Sequence, residues 1–228
     1  LVDYATNYVY ADLVMSKAEH TRVLKDYKLR FHIAYGKKWK VLQSDSESIF
    51  KSSRVGQWLR KEEIRLQLST PYQHWQNGQV EVYVGIVMDK TRTIMSAYNV
   101  PIKYWGYAVQ YACHVINMLP NSNTGISAYQ SLSGSVPNVR NLVQFYAPGV
   151  FHTTKDERKS NPWSPKALPC RMLGYAEHYN NAYSILNVTT GRIIIRENCV
   201  FDVSISADDV DDINVDRNEE RNDIDEYD

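Results

Sequence analysis

The chain has 228 residues, 43% of them hydrophobic, with 17 tyrosines and a formal net charge of zero. That length is enough for one sizeable core or two small ones. No run of about 18 apolar residues occurs, so no membrane-spanning helix is expected, and three widely spaced cysteines (Cys113, Cys170 and Cys199) argue against a zinc module or a disulfide framework and suit a reducing, intracellular setting.

The neutral total conceals a polarity along the chain. Residues 204–228 carry 11 acidic and 2 basic side chains, while the rest carries 24 basic and 15 acidic. The composition predicts a disordered acidic tail on a mildly basic body. The basic residues, among them Lys37, Lys38, Lys40, Arg54, Lys61, Arg65 and Arg92, read equally as solvated charge or as contacts to an anionic polymer.

In chain order, Leu1 to Val14 alternates and is rich in Tyr and Val, which predicts a hairpin turning at Ala5-Thr6-Asn7. Ser16 is placed to cap a helix over 17–35 that Gly36 would end. A short strand closes at Ser44-Asp45, a helix covers about 48–63, a strand covers 64–69, and a polar loop runs from Pro71 to Gly78. A long helix then begins near Asn77, with Val80, Val84, Val87, Thr91, Ile94 and Tyr98 on one face. Pro101 opens the next helix, whose stripe is Trp105, Ala108, Val109, Ala112, Val115, Ile116 and Leu119. Strands alternating with helices, then two long helices, make an α/β pattern. Beyond a polar connection over 121–144, four or five short strands between 145 and 203 predict a small β-barrel.

Two acids stand out by position. Asp45 follows a strand and Glu81 sits in the first turn of a helix, and each has an ordinary explanation as a turn residue or a helix-dipole partner. They are also 36 positions apart, with strand-end, helix, strand, loop and helix between them.

The segments Ser44–Phe50 (SDSESIF), TPYQHWQNGQVE, Pro101–Pro120 (PIKYWGYAVQYACHVINMLP), Tyr129–Val139 and the β-rich stretch from Phe145 to Val203 together resemble the integrase of a copia-type LTR retrotransposon, collinearly over nearly all of residues 1–203. The resemblance implies a ribonuclease H-like integrase core over 1–120 lacking its first strand, helices and loop over 121–144, and a small β-barrel over 145–203. It implies an enzyme that joins DNA by metal-dependent phosphodiester strand transfer, with two Asp and one Glu holding two Mg²⁺ or Mn²⁺ ions. Asp45 matches the second acid and Glu81 the third, as catalytic and metal-ligating residues. Asn77, Gly78, Lys90 and Arg92 are the implied nucleic-acid contacts. The implied partners are element ends and target DNA, with self-association or pairing with other integrase copies, in the nucleus and cytoplasm and away from membranes.

The likeness is uneven. Asp3 and Asp12 lack the first acid's surroundings, which places that acid on a strand upstream of Leu1. After Asp45 stand Ser46, Glu47, Ser48 and Ile49 where the family has Asn-Gly-Gly-Glu, and Val82 follows Glu81 where it has Arg. These departures imply an isolated chain without catalytic activity, and leave open a non-catalytic nucleic-acid-binding remnant.

Overall fold

The structure, a computed structural model, describes residues 1–44, 53–68, 78–122, 124–158, 163–176, 179 and 181–202. The acidic tail, the Pro71–Asn77 loop and Asp45 lie outside the described residues. Contacts divide the chain into two compact units, Leu1–Asp89 with Ala112–Val139, and Lys90–Tyr111 with Arg140–Asp228.

The first unit opens on the expected hairpin, although its regular pairing reduces to a single antiparallel bridge, Val2 to Val9. Asn7 takes the left-handed conformation at φ 61°, which Asn tolerates better than most residues. The helix expected over 17–35 is divided: a 3₁₀ turn at Lys17–Glu19, α1 over His20–Tyr27, and a π-helical stretch over Lys28–Ile33. Ser16 accepts the Glu19 amide through its backbone carbonyl, and α1 has no side-chain cap. Gly36, at φ 65°, ends the segment as expected.

Strand β1 (Val41–Ser44) pairs in parallel with β2 (Arg65–Leu68), and α2 (Ser53–Lys61) connects them. The α2 sequence forms a helix because Val55, Trp58 and Leu59 recur on one side, and that side is buried against Leu24, Leu42 and Ile64. A second cluster gathers Tyr10, Tyr27, Phe31 and Leu132, the last from α5 (Ala128–Ser133). His32 stacks on Trp39 beside it. Ser127 caps α5 through its side chain, and Gly134 at φ 78° closes it.

Helix α3 spans Gly78–Ala97 and α4 spans Trp105–Met118. Asn99 at φ 46° and a Val100 amide bond to the Met95 carbonyl terminate α3. The expected apolar stripes are only partly covered. Val87 and Thr91 are buried, but Val84 is 56% exposed; on α4, Ala108 and Ala112 are buried while Trp105 is 52% exposed. The covered side of α4 runs through Ala108, Tyr111 and Ala112, in line with the buried Tyr104 just before the helix, because a helix buries whichever side its neighbours meet.

Burial pushes the His114 imidazole on α4 down to about 4. A histidine held neutral in the fold contributes its full stabilisation above its unfolded value near 6.5 and loses it as pH falls towards 4. About 3 kcal/mol should disappear over that window. Urea unfolding at pH 7 and pH 4.5 measures this, with His114→Gln as the flattened reference. Equal pH dependence in the two proteins would refute the assignment.

In the second unit, the expected small β-barrel module takes the form of a five-stranded antiparallel sheet in the order β6-β5-β4-β3-β7. The strands are β3 (Pro148–His152), β4 (Ala167–Tyr175), β5 (Tyr183–Asn187), β6 (Ile193–Arg196) and β7 (Cys199–Phe201). Phe151, Cys170 and Ile185 form the sheet's core, and β4 bulges between Met172 and Gly174. The approach to the sheet is fixed by two tyrosines: Tyr111 donates to the Val143 carbonyl at 2.9 Å, and the Val143 amide donates to Tyr175 at 2.8 Å.

Candidate functional site

The β1–β2 register pairs Val41 with Arg65 and Ser44 with Leu68, so Ser44 and Leu68 lie side by side at the carboxyl side of the described parallel pair. In open α/β sheets that carboxyl edge is where ligands gather. Asp45 is the residue after β1 but lies outside the described residues, as does Asn77.

Glu81 stands in the first turn of α3, as the sequence places it, and is exposed. The start of that helix is tied to the hairpin by Gln79 Nε2, which donates to Asn7 Oδ1 at 2.7 Å. Gly78 has a negative φ, and a Cβ there would meet nothing within 4 Å, so this glycine is not sterically required. Lys90 and Arg92 are exposed on the same helix. Val82 and Val84, flanking Tyr83 after Glu81, are 62% and 56% exposed and offer solvent an apolar surface.

A hard divalent cation takes oxygen ligands, so the Glu81 carboxylate fits as one donor. Among the described residues, no group of three or more His, Cys, Asp and Glu forms a ligand cluster. On a single carboxylate such an ion keeps most of its waters, so the described residues supply a ligand rather than a complete site.

Sequence reading missed a second feature of this unit. Between α1 with its π-helical extension and α2 lies an open cleft of about 520 Å³, lined by the bases Lys25, Lys28, Arg54 and Lys61 and the acids Asp26 and Glu62, with Trp58 and Leu29 among its apolar residues. Lys28 is paired with Glu62, and the neighbouring lysines hold that carboxyl below its usual range, the Lys28 hydrogen bond foremost. Lys25, Arg54 and Lys61 are exposed. Arg54 and Lys61 stand out in the sequence as basic residues. Lys25 and Lys28 do not, though their i, i+3 spacing beside Leu29 is the signal that one helix face carries them.

The family described as "Retroviral polymerase SH3-like domain" matches residues 148–215, the stretch that begins with β3. The Retrovirus-related Pol polyprotein from transposon TNT 1-94 of Nicotiana tabacum is 22% identical over 88% of this chain. Over most of its length the chain is similar to retrotransposon Pol polyproteins. A second relative, the Retrovirus-related Pol polyprotein from transposon RE2 of Arabidopsis thaliana, is 26% identical over 86% of the chain. The chain spans 15% of the length of each of these Pol polyproteins. Among solved structures, the simian T-cell lymphotropic virus intasome in complex with PP2A regulatory subunit B56 gamma is similar at a TM-score of 0.47 and 17% identity, over 89% of this chain and 70% of that one. The HTLV-2 integrase catalytic core domain in complex with magnesium, in its trimeric form, is similar at 0.45 and 18%, over 57% of this chain and 80% of that one.

Proposed function

We propose that this chain derives from a copia-type retrotransposon integrase, binds DNA, and does not complete strand transfer by itself. In this reading residues 1–120 are a ribonuclease H-like core, 121–144 a connection, and 145–203 a small β-barrel module. The observation that carries it is the likeness to plant Pol polyproteins over 88% of the chain, in which the SH3-like match follows the helix bearing Glu81.

Asp45 and Glu81 are the residues that would hold Mg²⁺ or Mn²⁺. When bound, such an ion supplies the positive charge that polarises a phosphodiester and steadies a departing oxygen. The chain's own part is to present Glu81 at the exposed start of α3 and to hold DNA nearby through Asn77, Gly78, Lys90 and Arg92. The exposed Val82 and Val84 favour the non-catalytic form of the reading, since an apolar surface there gives phosphates no charge to meet. Element ends and target DNA are the partners, pairing with other integrase copies belongs to the same reading, and the setting is intracellular, in nucleus and cytoplasm.

A labelled donor-end assay with Mg²⁺ and Mn²⁺ tests the chemistry. The unaltered chain should join no more DNA than Glu81→Gln does. Metal-dependent joining that Glu81→Gln abolishes would overturn the claim of inactivity while leaving the family reading intact.

The cleft between α1 and α2 is the phosphate contact best supported by charge. DNA affinity should fall steeply with salt, and replacing Lys25, Arg54 and Lys61 together by Gln should flatten the log–log slope by about 2 to 3. An unchanged slope would remove the cleft from the DNA surface.

A further inference from the structure

The outward face of the β-rich sheet is apolar along a line where an antiparallel sheet ordinarily turns polar residues to water. Phe151, Cys170 and Ile185 take the core side. Successive side chains on a strand point to opposite faces, so Val150, next to Phe151, points away from that core. Pro169 on β4 and Val200 on β7 stand directly opposite Val150, and the Val188 amide donates to the Pro169 carbonyl at 3.2 Å just past β5. Val188, Pro169, Val150 and Val200 thus form one row, running from the end of β5 over β4 and β3 to β7. Val188, Val150 and Val200 are 41%, 44% and 71% exposed. Arg171, two residues from Pro169 on β4, shares this face, and the exposed Arg192 lies beyond Val188 in the turn leading to β6.

A row of four side chains is too small for a second copy, since a stable protein interface buries about 800 Å² on each partner. The chain itself supplies a better fit. β7 ends at Phe201, and the Asp202 amide, which donates to the Pro148 carbonyl at 2.9 Å, releases the chain two residues from Val200. Next in sequence come Val203, Ser204, Ile205, Ser206 and Ala207, apolar and polar in strict alternation. Asp208, Asp209, Asp211 and Asp212 follow, around Val210. Extended, residues 203–207 span about 13 Å, and the row crosses three strand spacings, about 14 Å. An apolar edge therefore matches an apolar row in length, and the aspartates beyond it arrive at the Val188 end, where Arg192 stands. The match to the SH3-like family also runs on to residue 215, past the end of β7.

We propose that the outward face of this sheet is the docking surface for the chain's own residues 203–212, which cross it from β7 towards β5. Val203, Ile205 and Ala207 seat on the row of Val200, Val150, Pro169 and Val188, and the aspartates that follow are set against Arg192. The alternation gives neighbouring residues opposite surroundings: Ile205 meets the sheet, while Ser204 and Ser206 meet water. Burial of the apolar row holds the segment down, and the paired charges fix its direction across the strands.

The test uses the full chain with the photo-cross-linking residue p-benzoylphenylalanine in place of Ile205. Irradiation should link it to peptides containing Val150, Pro169 or Val200, at the mass of one chain. Links at the mass of two chains, or no link to the sheet above the level seen in urea, overturn the proposal. Limited proteolysis with an Asp-directed endoproteinase gives a second readout, because cleavage within 208–212 requires the segment to lift and follows the lifted population. Ile205→Ser and Val200→Ser should each speed that cleavage about tenfold, one on each side of the contact, while Ser206→Asn leaves it unchanged. Equal rates for Ile205→Ser and Ser206→Asn, or protection that grows with chain concentration, would refute the seating. The cross-link map decides even if Val200→Ser does not fold, since it leaves every residue of the sheet in place.

Discussion

Replacing Asn117 by Ala is expected to destabilise the first unit by about 4 kcal/mol, the largest effect of any single polar side chain described here. Asn117 is 2% exposed on α4, and its amide meets the backbone of Val9 in the hairpin from both ends. The Val9 amide donates to Asn117 Oδ1 at 2.8 Å, and Asn117 Nδ2 donates to the Val9 carbonyl at 2.7 Å. One side chain thus does for Val9 what a neighbouring strand would do. Truncation leaves a donor and an acceptor buried without partners, each costing about 1–3 kcal/mol. Asn117→Asp should be at least as damaging, because a carboxylate can accept from the Val9 amide but has no proton for its carbonyl. Urea unfolding followed by tryptophan fluorescence suits the measurement, since Trp39 and Trp58 pack in this unit's clusters. A loss under 1 kcal/mol would mean that water reaches the Val9 backbone.

The second large effect is expected at Gly149, in the β-rich unit. A Cβ there would lie 2.5 Å from the Val200 carbonyl oxygen, 2.7 Å from Phe201 Cδ1 and 3.1 Å from Phe201 Cα. Two of these three atoms are backbone, so relief requires β7 to move away from β3. Gly149→Ala is expected to cost about 3 kcal/mol, at the upper end for overpacking, and to speed amide exchange at β7. Hydrogen–deuterium exchange of peptides covering Cys199–Phe201 reports it directly. Gly85, inside α3, is the matched control: a Cβ there meets nothing within 4 Å, and Gly85→Ala should stabilise by about 1 kcal/mol through helix propensity. If the two substitutions behaved alike, close backbone approach would not be what demands glycine at 149.

Much of the local structure was legible because it follows from short-range chemistry. Helix α3 runs from Gly78 to Ala97 over the helical period that the sequence shows, with Glu81 in its first turn, because apolar residues recur there at helical spacing. The four or five short strands expected over 145–203 appear as β3 to β7, and β6 and β7, close in sequence, lie at opposite edges of the sheet. The divided first helix was not legible, since its apolar spacing does not distinguish an α-turn from a π-turn. At the candidate site, sequence spacing places Glu81 in its first turn and nominates the basic residues Arg54 and Lys61. It does not reveal that α1 and α2 stand side by side, which gathers these two with Lys25 and Lys28.

By itself the sequence determined the order of elements, the α/β pattern followed by a β-rich module, and the resemblance to a retrotransposon integrase. Those properties reside in periodicity, turn chemistry and local motifs. The tertiary structure alone decided which side of each helix is covered, so Val84 and Trp105 face solvent while Tyr111 and Asn117 are buried. It also decided the meetings of Asn117 with Val9 and of Gly149 with Phe201. A helical period marks a face without naming its neighbour, and a glycine carries no period at all. Contacts between residues as far apart as Val9 and Asn117 exist only once the intervening chain has packed.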